Sequence, residues 1–294
     1  LKIGIWTDSH NFPNLAAMKL SAYHKAQGDT VELLNHLNTY DIAYCCKVFD
    51  FTPDAEDMAL ISADKIIRAG TGYHDYTTVL SPEIEHLYPD YSLYPQYKQA
   101  YGYLTRGCPR ACPFCIVAPK EGRQSIHVAD LSEFWHGQKE IKLLDPNLLA
   151  CREHEQLLQQ LVDSKAWVDF TQGLDVRMLT DANCDLISKI KVKTIHFAWD
   201  NPNDDLIKQF EFFKARTVLD WRKLRVYVLA NYWSSHEQDL ERVYKLRELG
   251  FDPYVMIYDK EHAPRLTKQV ARWVNNKFIF RECAQFEDYN PTKG

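Results

Sequence analysis

Tyr101-Gly102-Tyr103-Leu104-Thr105-Arg106-Gly107-Cys108-Pro109-Arg110-Ala111-Cys112-Pro113-Phe114-Cys115 is the stretch on which the reading of this chain turns. Its first five residues read as a strand, Tyr101–Thr105, and the rest as a tight loop with three cysteines in C-x3-C-x2-C spacing. Thiolates are the soft ligands of iron–sulfur clusters. Three on one compact loop can hold three irons of a [4Fe–4S] cluster, leaving the fourth iron open. Two other readings stand beside this one. A structural zinc site wants four closed donors, commonly in C-x2-4-C pairs, and His127 is the nearest extra donor. A redox C-x-x-C pair at Cys112 and Cys115 leaves Cys108 without a task.

Downstream of the loop, strand-like runs recur at Glu140–Leu144, Val168–Thr171, Thr194–Trp199, Leu224–Leu229 and Pro253–Tyr258. Amphipathic segments lie between them: Leu157, Leu158, Leu161 and Val162 form one stripe, and Leu240, Val243 and Tyr244 another before a stop at Gly250. Leu266–Val274 reads as a further helix. Six βα units predict a partial (β/α)6 TIM-like barrel over 100–294 with a C-terminal extension, since eight strands are not there to find. Upstream, Lys2–Trp6, Thr30–Leu34, Ile42–Phe49 and Lys65–Ala69 read as strands, and Asn14–Gln27 as a helix capped by Asn14 and ended by Gly28. That alternation predicts a small doubly wound, Rossmann-like α/β domain over 1–75. Residues 76–99 carry Pro82, Pro89 and Pro95 among many tyrosines and no sustained period, and read as a connector.

Composition agrees with two globular domains. The chain has 294 residues, 46% hydrophobic and 26% charged, which excludes wholesale disorder. Lys+Arg of 35 against Asp+Glu of 40 gives a net charge of −5, unlike a protein that coats nucleic acid by charge alone. No apolar run reaches the roughly 18–20 residues of a membrane span. The strand-like start, without a basic leader, leads us to expect a cytoplasmic protein with no membrane partner. The eight cysteines are not evenly spread, so a disulfide framework is not expected, and Cys151, Cys184 and Cys283 read as core or surface thiols.

The C-x3-C-x-aromatic-C arrangement, with Phe114 before the last cysteine, resembles the signature of radical S-adenosylmethionine (radical SAM) enzymes. The loop after the first barrel strand and the six βα units, from about Ala100 to Tyr289, are similar to that family's arrangement. The resemblance implies that Cys108, Cys112 and Cys115 hold a [4Fe–4S] cluster and that SAM chelates the open iron. It further implies that one electron, from a donor such as flavodoxin or ferredoxin, cleaves the sulfonium to a 5′-deoxyadenosyl radical. The cofactor does the hard chemistry while the protein positions and shields it.

Ligand sites of βα barrels lie at the C-terminal strand ends, where the remaining candidates fall. Where the family places a Gly-Gly-Glu-type segment for the SAM ammonium, this chain has Leu144-Asp145-Pro146-Asn147. Asp145 and Asn147 can supply acceptors instead, or Asn147 can cap a helix. The third strand ends in Thr171-Gln172-Gly173-Leu174-Asp175-Val176-Arg177, a polar density that needs solvent or ligand. Gln172 is a candidate there. Arg177 can pair with the SAM carboxylate, or with Asp175 or Asp200. Asp200, after the fourth strand, can accept from the ribose hydroxyls or cap the segment from Pro202. Asn231, after the fifth, can border SAM or substrate. Phe114 completes the cofactor-binding set. In the first domain, Asp8-Ser9-His10-Asn11-Phe12-Pro13 approaches the cobalamin motif D-x-H-x-x-G, with Pro13 where glycine belongs. Proline fixes φ and lacks the amide hydrogen, so cobalamin is not expected. The expected function is a radical SAM enzyme acting on an RNA, a peptide or a small molecule. The alternative is a non-catalytic iron–sulfur or zinc scaffold. Lys120, Arg123, Arg222, Lys223 and Arg225 can touch phosphate or be solvated surface.

Overall fold

The computed structural model describes residues 1–8, 12–53 and 61–292. Four parallel strands, β1 (Lys2–Thr7), β2 (Thr30–Leu33), β3 (Thr39–Cys46) and β4 (Ser62–Ala69), form a first sheet in the order β2-β1-β3-β4. β1 is buried from Ile3 onward, as its run of apolar residues requires of a central parallel strand. The helix expected over Asn14–Gln27 spans Leu15–Ala26, and the Asn14 side chain caps it by accepting from the Ala17 N–H at 3.1 Å. Its inner face packs Ala17, Met18 and Leu20 on Ile3 and Ile5.

The connector is ordered by its tyrosines. Tyr94 and Leu93 join the core of the first sheet together with Tyr101. The Tyr91 hydroxyl donates to the Phe134 carbonyl at 2.7 Å and accepts from the Tyr101 N–H at 3.0 Å. Two short helical turns, Pro82–Glu85 and Tyr91–Leu93, break what the sequence presented as irregular chain.

The second sheet contains six parallel strands. β5 (Ala100–Gly102) leads into a small antiparallel hairpin of β6 (Thr105–Arg106) and β7 (Ile126–His127). Then come β8 (Glu140–Leu143), β9 (Trp167–Phe170), β10 (Lys191–Ala198), β11 (Leu224–Ala230) and β12 (Asp252–Ile257). The order β12-β11-β10-β9-β8-β5 is the partial barrel expected. One face buries Ile141, Leu143, Val168, Phe170, Ile195, Phe197, Val226 and Val228 beneath the helices. Beyond β12, the helix Arg265–Asn275 buries Val270, Trp273 and Val274 in a separate cluster with Phe280. Among the described residues no helix is long and apolar enough to cross a membrane.

The first barrel strand differs from expectation. Tyr101–Thr105 is not continuous: β5 ends at Gly102, and Thr105 pairs with His127 instead. The reason is Asp145, which takes the Leu104 and Thr105 amides away from the sheet.

Candidate functional site

The cysteine loop is pinned at its root. Asp145, just past β8 and 5% exposed, accepts from the Leu104 N–H at 3.1 Å, the Thr105 N–H at 2.6 Å and the Thr105 hydroxyl at 2.8 Å. Burial pushes its carboxyl up to about 6, against the pull of those hydrogen bonds. Gly107 has φ 84°, and a Cβ there would lie 2.0 Å from the Gln124 carbonyl oxygen, so only glycine fits. The Gly107 N–H reaches the Glu121 carboxylate at 3.3 Å and the Cys108 N–H reaches the Gly122 carbonyl at 3.2 Å. The short helix Val117–Glu121 thereby folds back on the start of the loop. Within it, Ala111 takes a left-handed conformation, φ 46°, and the Cys115 N–H donates to the Cys112 carbonyl at 3.0 Å.

The three thiols are free and partly exposed. Burial raises the pKa of Cys112 and Cys115, and the Asp200 carboxylate adds to the rise at both. Uncompensated thiolates in such a place are costly, and a bound cation relieves that cost. Among the described residues no three His, Cys, Asp or Glu side chains form a ready-made metal-ligand group. Asn147, 2% exposed, sits against the loop: its Nδ2 lies 3.5 Å from Cys108 Sγ, and its Oδ1 is buried with no hydrogen-bond partner. It precedes the helical turn Leu148–Ala150 without a side-chain capping bond. An orphaned acceptor beside one of these thiols fits a bound donor group.

The strand ends gather the other candidates unevenly. Gln172 is exposed. Arg177 pairs with Asp175 at 2.9 Å and with Asp204, which jointly raise its pKa despite burial. Of the two carboxylate partners considered from sequence, Asp175 is the one engaged, and Asp204 was not foreseen. Arg110 of the cysteine loop approaches the same two carboxylates, at 3.6 and 3.9 Å. Asp200 caps no helix, since the next one starts at Ile207. Burial raises its carboxyl to about 6 against the opposing charges of Arg242 and Arg177, and Arg242 also binds its backbone carbonyl at 2.9 Å. Asn231 adopts φ 66° and donates to the Tyr258 carbonyl at 2.9 Å, tying the ends of β11 and β12 together. Phe114 packs edge-on against Tyr232 and Trp233, with centroids at 5.4 and 5.6 Å, so the loop tip rests on those same strand ends.

Sequence reasoning missed the barrel's inner face. Tyr101, Lys142, Asp169, His196, Tyr227 and Tyr254 occupy one face, one per strand, as the registers require. His196 Nδ1 lies 2.9 Å from the Phe170 carbonyl, which can only accept, so Nδ1 carries the proton and Nε2 is left as an acceptor. Burial lowers the His196 pKa, and its ring stacks on Tyr227 at 5.0 Å. Asp169 Oδ1 is buried without a hydrogen bond. The signal was there as polar residues alternating with apolar ones inside the strands. Of the basic residues considered for phosphate, Arg222 pairs with Asp220, Lys223 with the Val192 carbonyl and Arg225 with Asp252 at 3.5 Å, all at the strand starts and away from the cysteine loop. The cobalamin-like reading of His10 lies outside the described residues.

A search against protein-family models finds no match. A curated relative, tRNA-2-methylthio-N(6)-dimethylallyladenosine synthase of Flavobacterium psychrophilum, is 33% identical over 119 residues, which are 34% of this chain and 22% of that protein. Among solved structures, Streptococcus suis SuiB bound to S-adenosylmethionine overlaps 63% of this chain and 47% of its own, at 14% identity and TM-score 0.43. SuiB bound to the precursor peptide SuiA overlaps 62% and 47%, at 15% identity and TM-score 0.43. The shared stretch of sequence makes the chain similar to that synthase over about a third of its own length. The chain spans about a fifth of that sequence relative, so the relative's activity is a property of a longer protein.

Proposed function

We propose that this chain is an enzyme that reductively cleaves S-adenosylmethionine at a [4Fe–4S] cluster held by Cys108, Cys112 and Cys115. When bound there, the cluster would supply the one electron that reductive cleavage of the sulfonium requires. The observation that carries the reading is the pinned thiol loop with the orphaned Asn147 Oδ1 beside Cys108. Asn147 accepts from the SAM ammonium. Asp200 accepts from the ribose hydroxyls. Asp145 acts through the backbone of the loop root, which it holds. Arg177 meets the SAM carboxylate only by sharing donors now engaged with Asp175 and Asp204. Phe114, Gln172 and Asn231 are assigned to the approach to the cofactor, and the polar inner face to the substrate side. Of the three substrate classes, RNA is the one supported by the name of the sequence relative.

The test is anaerobic reconstitution. The wild type should hold about one cluster and release 5′-deoxyadenosine with a strong reductant, and alanine at any of the three cysteines should end both. A cluster that survives all three replacements overturns the assignment. Asn147→Ala should weaken SAM binding by calorimetry by about 1.5–3 kcal/mol, the range for a hydrogen bond to a charged group.

A further inference from the structure

A chain of alternating charges runs from the first sheet's helix to the root of the cysteine loop. Lys19, on the helix Leu15–Ala26 and 8% exposed, donates to the Glu85 backbone carbonyl and lies 3.1 Å from Glu85 Oε1. The same Oε1 takes Arg106 Nη2 at 3.1 Å. Arg106 lies over the Tyr103 ring at 4.3 Å, and its Nη1 is 3.5 Å from Glu121 Oε1. Glu121, whose side chain is 8% exposed, turns its other oxygen to the Gly107 N–H at 3.3 Å. The next amide is that of Cys108.

An exposed pair of this kind would contribute little. Here both ends are buried, each carboxylate is shared between two donors, and the last acceptor is spent on a backbone amide of the loop. Removing one member leaves its neighbour with an unmatched charge, so a break at the far end is felt along the series. Gly107 adds to this sensitivity, because its left-handed conformation and the close Gln124 carbonyl leave one backbone path open to the loop.

We propose that Lys19 and Glu85 are positioning residues for the cysteine loop: the docked first-domain helix, through Arg106 and Glu121, sets the placement of Cys108. Neither residue touches a thiol. The first domain thereby gains a structural hold on the site, whatever the thiols bind.

The test labels the metal-free protein with a maleimide and tracks each cysteine by mass spectrometry. Lys19→Met and Glu85→Gln should each speed labelling of Cys108 about fivefold, the factor that one ion pair of ordinary strength contributes. The double variant should be no faster than either single one, since both break one series. Cys151 and Cys184, buried in the barrel core, report general loosening and should keep their wild-type rates. Lys19→Arg retains the charge and should restore slow labelling. An unchanged Cys108 rate in Lys19→Met overturns the proposal, as does equal acceleration at Cys151 and Cys184. Fast labelling in Lys19→Arg overturns it as well. The assay needs no cluster, so a protein that never assembles one would break the proposed function and leave this result standing.

Discussion

Asp8 and Asp145 perform one task in the two sheets, with different consequences. Asp8, just past β1, accepts from the Val48 and Phe49 amides at 3.0 and 2.7 Å. Asp145, just past β8, accepts from the Leu104 and Thr105 amides. Each carboxylate folds the chain that leaves a neighbouring strand. Beyond the first pair of amides the chain is aromatic, with Phe49 stacked on Phe51 at 5.1 Å, whereas the second pair leads to the cysteine triplet. The second carboxylate is also fully enclosed, while Asp8 is half-buried. A buried carboxylate at a strand end is thus a general way to shape a loop, and the residues the loop carries decide what it can do.

The largest effect should come from removing the enclosed anchor. Asp145→Ala leaves two buried amides and a hydroxyl unpaired and should cost about 4 kcal/mol in urea denaturation, against about 1–2 for Asp8→Ala. Equal costs would break the comparison. Next comes one left-handed glycine from each domain. Gly107→Ala combines a left-handed φ with a backbone clash and should cost about 3 kcal/mol, whereas Gly28→Ala, with φ 84° but open space, should cost about 1. Circular dichroism melts of the pair would show whether the loop root is as rigid as its geometry implies.

A smaller effect sharpens the difference in burial. The Asp145 carboxyl is raised to about 6 in the folded state from an ordinary 3.8, so the folded protein holds this proton more tightly than the unfolded chain. The stability it contributes is fully present below about pH 4 and is lost as pH rises through about 6, up to about 3 kcal/mol. Asp145→Asn should flatten that part of the stability–pH curve, and the slope that remains belongs to Asp200, raised in the same direction to about 6. A wild-type curve that rises between pH 4 and 6, with no change in Asp145→Asn, would contradict the burial argument.

Much of the molecule was legible in advance because it is set by local patterns. Apolar and alternating runs located the six barrel strands and the four of the first sheet, with the first barrel strand cut short at Gly102, and the Asn14 cap and Gly250 stop fell where side-chain chemistry puts them. The edges moved where long-range bonding intervened: β3 spans Thr39–Cys46 in place of Ile42–Phe49, in a region where Asp8 draws the Val48 and Phe49 amides out of the sheet. The cysteine triplet was visible because its spacing is a property of eight consecutive residues, Cys108–Cys115.

What the tertiary structure alone decided is which partners those residues meet. Asp145 and Asn147 stood together as ligand candidates, yet one faces the loop's amides and the other keeps a free acceptor beside Cys108. Arg177 had its choice of carboxylates resolved by the fold toward Asp175 and Asp204, with Arg110 drawn to the same pair. The inner-face polar row and the series from Lys19 to Glu121 join residues tens of positions apart. No local period records such pairings, because they depend on strand order and on how one helix docks. The sequence by itself determined the elements and the thiol loop, through propensity, alternation and ligand spacing. Only the packed structure decided which charges are buried together, since burial and pairing are properties of the whole fold.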